Sequence, residues 1–175
     1  MGQEILGKRI KTIGADGIMN LKEYIEDLKK ITEKDPNARK FYEWVLKNAK
    51  EFEEKDFGQL TEQEKKYVEE IKPPVKPKQC YYVSQILAVS SRGKLKYFEG
   101  WFLDRKIPIP LEHAWNVFDN KIVDLVEEKI HGQPMAYFGV QIPTEFVAKN
   151  MVKTGMAETI LAKFFFSKKK LDEVI

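Results

Sequence analysis

The spacing of apolar residues changes period along the chain, and each change predicts an element. Leu21, Tyr24, Ile25, Leu28 and Ile31 recur at three- and four-residue intervals behind Asn20, which predicts an amphipathic helix with Asn20 as its N-cap. Asp35-Pro36, a cap followed by proline, predicts a second helix with Phe41, Trp44, Val45, Asn48 and Phe52 on one face. Gly58 closes that stretch, and Thr61 with Glu64 forms a capping box for a third, short helix carrying Tyr67, Val68 and Ile71. The apolar stripes of these helices read as core rather than as partner-binding faces. Residues 1–19 fit a strand or an arm and stay unassigned. Pro73, Pro74 and Pro77 then break the helical pattern, and Cys80 opens a new one with Val83, Ile86, Leu87 and Ser90 at helical spacing.

After Gly93 the period drops to two. Leu95, Tyr97, Glu99, Trp101 and Leu103 alternate with Lys96, Phe98, Gly100 and Phe102, and both sets are largely apolar, as in a central strand. Gly100 marks a place where another backbone or a ligand comes close. Ile107-Pro108-Ile109-Pro110 crosses to a hairpin over 111–124, residues 126–134 read as a polar surface loop, and a further strand covers 136–142. A helix runs from Pro143-Thr144 through Val152 to a stop at Gly155, and a last one covers Ala157 to Phe166 ahead of a solvated lysine tail, Lys168 to Lys170. Helices first, then one helix followed by consecutive antiparallel strands, predict an α+β fold.

The hairpin sets a parity. If Asp119 and Asn120 form a two-residue loop, Phe118 faces Lys121 and Trp115 faces Asp124, so Asp124 is the diagonal neighbour of His113 on one face. A three-residue loop would put the two on opposite faces. Aspartate and asparagine tolerate the positive φ of the primed turns, which favours the short loop.

Composition limits the chemistry. The 175 residues suit a single domain, 1–175, divided into a helical section over 20–72, a core over 77–143 and C-terminal helices over 144–175. One cysteine excludes an internal disulfide, and with two histidines it cannot make the usual closed zinc sites, so neither metal nor cofactor is expected. A net charge of +3 does not call for a nucleic-acid partner. The N-terminus lacks a secretory layout and no apolar run reaches the ~18 residues of a membrane span, so the expected location is cytoplasmic. The pattern leaves the oligomeric state open.

A histidine held by a carboxylate is an oriented base, and Cys80 is the candidate nucleophile. A thiol at a helix N-terminus meets the positive end of the helix dipole, which favours thiolate. An isolated cysteine is more often a small buried hydrophobe, and the partnered histidine is what weighs against that reading here. The Cys80 backbone N–H is placed to stabilise an oxyanion, with Gln79 and Gln85 as side-chain candidates that alone read as structural. Glu99, amid Tyr97, Phe98 and Trp101, is expensive to bury without a partner. It is either a second acid in the site or a structural group satisfying Arg105 or the backbone. Trp115 would shield the His113–Asp124 hydrogen bond, Asn116 is the fallback group for orienting His113, and His131 reads as a bystander.

Cys80, His113-Ala114-Trp115 and Ile122-Val123-Asp124, in this order, resemble the transglutaminase-like branch of the papain-like cysteine enzymes over roughly residues 77–143. The resemblance implies nucleophile, base and orienting acid in that order, on a core in which the cysteine's helix packs against an antiparallel sheet. It implies a hydrolase of peptide or amide bonds, a cysteine protease or amidase working through a thioester on a peptide or protein substrate. Two alternatives stay open: an acyltransferase, transglutaminase-like or similar to arylamine N-acetyltransferases, and a non-catalytic peptide- or protein-binding module on the same scaffold.

Overall fold

The computed structural model describes residues 20–53, 59–104, 107, 109–126, 134–155 and 157–172. The stretch 1–19, Gly58, Arg105 and His131 lie outside the described residues. Among the described residues the chain forms mixed helices and one antiparallel sheet, an α+β arrangement. The helices are α1 (Leu21–Ile31), α2 (Pro36–Asn48), α3 (Glu62–Ile71), α4 (Cys80–Ser90), α5 (Thr144–Thr154) and α6 (Leu161–Asp172). The strands are β1 (Lys50–Glu53), β2 (Lys96–Asp104), β3 (Leu111–Phe118), β4 (Lys121–Val123) and β5 (Pro134–Ile142), in the order β1-β5-β2-β3-β4.

Local chemistry starts the helices where the spacing predicts. Asn20 accepts from the Lys22 and Glu23 N–H groups, Asp35 from those of Asn37 and Ala38, and Thr61 with Glu64 completes its capping box. Gly155, at φ 66°, ends α5 in the left-handed conformation. No helix among the described residues is long and apolar enough to cross a membrane.

Alternation along the strands gives the sheet two apolar faces. Tyr97, Trp101, Leu103, Ala114, Phe138, Val140 and Ile142 face the helices and join the core formed with Leu21, Ile25, Val45 and Val147. Phe98, Phe102, Trp115, Val117 and Tyr137 form a second, aromatic cluster on the opposite face with Phe52, Leu111 and Ile122. Gly100 pairs with His113 on one side and Gly139 on the other, and a Cβ there would lie 2.2 Å from the Phe138 carbonyl oxygen. The close approach at Gly100 is therefore that of another backbone.

Two boundaries differ from the sequence expectation. Helix α2 ends at Asn48, and Phe52 lies on the edge strand β1, paired with Tyr137. There its ring packs 5.3 Å from Phe98 and 6.3 Å from Trp115, contacts on the far face of the sheet that a helical continuation would forgo. The last helix begins at Leu161 rather than Ala157 and continues through the lysines to Asp172. Its start is fixed by Glu99, whose carboxylate accepts from the Ile160 and Leu161 N–H groups at 3.0 Å and from the Thr159 hydroxyl.

Candidate active site

The β3–β4 hairpin turns on Asp119 and Asn120, both in the left-handed region at φ 46° and 64°. Phe118 pairs with Lys121, Val117 with Ile122 and Asn116 with Val123, and one more step of that register sets Asp124 across from Trp115 and diagonal to His113. His113 Nε2 and Asp124 Oδ2 are 2.5 Å apart, and the Tyr137 hydroxyl donates to the same oxygen at 2.9 Å. Each residue of the His113–Asp124 pair keeps only 4% of its surface exposed, so the contact is formed out of water. Phe102 lies 4.6 Å from the imidazole, ring centre to ring centre.

Cys80 is the first residue of α4, after Lys78 at φ 63° and Gln79 at the N-cap. One turn further along, the Ser84 hydroxyl donates to the Ala114 carbonyl and the Asn116 amide donates to the Ser84 carbonyl, both at 3.0 Å. These bonds fasten the cysteine's helix to the strand carrying His113. The thiol shares an apolar cluster with Val123 and Val126, which bracket Asp124 in sequence, and it lies near enough to the imidazole to help raise the His113 pKa. Cys80 keeps 8% of its surface exposed.

Burial alone would pull the His113 pKa down. The Asp124 charge and hydrogen bond, with the contact to Cys80, outweigh it and push the value up to about 10. At neutral pH the histidine is thus an imidazolium, with the Asp124 carboxylate on Nε2.

The remaining candidates fall elsewhere. Glu99 pairs in register with Ala114, so its side chain is on the helix face, opposite His113. It accepts from the Tyr97 hydroxyl at 2.8 Å and caps α6, which is the structural role rather than that of a second acid beside His113. Burial raises its pKa against the hydrogen bonds from Thr159, Ile160, Leu161 and Tyr97. Asn116 also faces the helices, where it holds Ser84, so it does not orient His113. Gln85 is fully buried, donating to the Glu158 carbonyl at 2.7 Å and to the Tyr97 hydroxyl at 3.3 Å. Gln79 is half-buried and makes no side-chain cap. Trp115 lies on the His113 face, 4.8 Å from the Tyr137 ring and 5.9 Å from Phe98.

Sequence reasoning missed Tyr137. Its alternation within 136–142 was readable, but its reach to Asp124 depends on β5 pairing with β2, a contact between distant segments. Among the described residues no three His, Cys, Asp or Glu side chains gather as a metal site would need. No protein-family model, curated protein or solved structure matches this chain.

Proposed function

We propose that the protein is a cysteine-nucleophile acyl-transfer enzyme on a papain-like, transglutaminase-like core, hydrolysing peptide or amide bonds through a thioester. The observation that carries this reading is the buried His113–Asp124 hydrogen bond, with the Cys80 thiol at the start of α4 close enough to the imidazole to raise its pKa. An imidazolium beside the sulfur stabilises thiolate, and the Cys80 N–H, at the start of α4 where no intrahelical acceptor is available, is directed at a developing oxyanion.

The thiolate attacks the carbonyl carbon, forming the S–C bond and moving an electron pair onto oxygen. Collapse breaks the C–N bond, and the imidazolium proton goes to the leaving nitrogen. Neutral His113 then takes a proton from water as the water oxygen attacks the thioester, the C–S bond breaks, and the acid leaves with the thiolate restored. An amine in place of water would make the same steps an acyl transfer, and incubation of a model amide with and without an added amine separates the two by product.

The low exposure of Cys80 favours a second reading, a non-catalytic binding module. Iodoacetamide labelling at pH 7 discriminates: a catalytic thiol loses at least about tenfold in rate in His113→Ala, whereas an equal rate in both proteins ends the enzymatic reading.

A further inference from the structure

Tyr137 is fully buried on β5, and its backbone is held on both edges, paired with Phe52 of β1 and Phe102 of β2. Its ring lies 4.8 Å from that of Trp115, 6.1 Å from Phe102 and 6.3 Å from the His113 imidazole, centre to centre. In the sheet β2 and β3 separate β5 from β4. On the site face the β2 residue paired with His113 is Gly100, which has no side chain to stand between Tyr137 and the hairpin. The Tyr137 hydroxyl reaches Asp124 Oδ2 at 2.9 Å, and His113 Nε2 lies 2.5 Å from the same oxygen. Asp124 beyond β4 and Tyr137 of β5 thus face the imidazole, with Cys80 of α4 near enough to add to its proton affinity.

One carboxylate oxygen therefore accepts from two donors in a setting closed to water. Both donors draw on the same negative charge, and a carboxylate that accepts more hydrogen bonds holds a proton, or a protonated partner, less tightly. We propose that Tyr137 is a positioning residue for the acyl-transfer chemistry: it fixes the Asp124 carboxylate and takes up part of its charge, so that the His113 imidazolium stays in place yet releases its proton to the leaving nitrogen more readily than Asp124 alone would allow. Tyr137 acts through Asp124 rather than on the reacting atoms. The role rests on the reading of His113 as acid and base to Cys80.

NMR titration of the full-length protein tests this without a known substrate. The chain has two histidines, so the spectrum of His113→Gln assigns the His113 resonance. At about pH 10, its midpoint in the wild-type protein, His113 is half protonated. Tyr137→Phe keeps the ring and removes the donor, and should raise the proton affinity of His113 roughly tenfold, leaving it mostly protonated at that pH. A fluorotyrosine at position 137 keeps the hydroxyl but donates more strongly, and should shift the titration the other way. Tyr97→Phe removes a comparable buried bond, 2.8 Å to Glu99 on the helix face, and should leave the His113 titration where it is. A merely structural Tyr137 would lower the melting temperature of Tyr137→Phe without moving the titration. An unmoved or lowered proton affinity in Tyr137→Phe, or an equal rise in Tyr97→Phe, overturns the proposal. Should Tyr137→Phe not fold, the fluorotyrosine protein decides, and an unmoved titration there overturns it as well. Failure of the thiol reading shows separately, as a Cys80 alkylation rate indifferent to His113→Ala, and leaves the titration result standing.

Discussion

His113 gains its proton affinity only in the folded chain, because the Asp124 carboxylate that holds the charge is assembled with it. Its folded pKa of about 10 lies above the ordinary histidine value of about 6.5, so the folded state binds this proton more tightly than the unfolded one. The stability this contributes is complete below about pH 6.5 and is lost as pH rises through about 10. The melting temperature should fall between pH 7 and 10.5, and His113→Gln should flatten that dependence in a calorimetric series. Asp124→Asn keeps the size of the side chain but removes the charge, leaving the Tyr137 hydroxyl and the imidazole competing for a neutral acceptor. A residue that merely closed a hairpin would cost within about 1 kcal/mol. Here the expected cost is about 1–3 kcal/mol by chemical denaturation, with His113 titrating nearer its ordinary value by NMR and Cys80 alkylation slowed at pH 7. An unchanged imidazole titration would remove Asp124 as its partner.

Among the secondary elements, α6 depends most directly on a residue far from it in sequence. Helices α1, α2 and α3 carry their own caps, whereas α6 borrows the Glu99 carboxylate from β2. Glu99→Ala orphans the Ile160 and Leu161 amides at a buried helix start and should cost roughly 3 kcal/mol. Amide exchange should locate the loss: protection at residues 160–164 should fall further than in α5, and a uniform decrease along the chain would show that the cap has no local role.

For the molecule as a whole, the β2–β5 pairing joins the two sides of the candidate site, since β3 brings His113 and β5 brings Tyr137. Gly100 and Gly139 permit it. At Gly139 a Cβ would meet the Trp115 ring at 2.4 Å and the Glu99 carbonyl oxygen at 2.7 Å. Gly100→Ala sets a methyl against the Phe138 carbonyl, and backbone on a neighbouring strand cannot step aside as a flexible side chain can. The expected loss exceeds about 3 kcal/mol, at the severe end for overpacking, read as a lost or much lowered thermal transition. A variant as stable as the parent would mean that the two strands separate locally at little cost.

The sequence by itself determined what depends on neighbours within a few residues. The caps at Asn20, Asp35 and Thr61 are local hydrogen bonds, and the Asp119-Asn120 turn fixes strand register by backbone twist, so the diagonal placement of His113 and Asp124 was legible before any tertiary contact. Only the tertiary structure decided the rest. Phe52 left a helical pattern for an edge strand because aromatic partners awaited it across the sheet, and α6 began four residues late because Glu99 supplied its cap. Asn116 was turned to the helix face by strand alternation and given to Ser84, while Tyr137 came to Asp124 from β5. Those outcomes turn on which distant segments pair, and burial and buried hydrogen bonds decide that when the whole sheet forms, beyond the reach of local spacing.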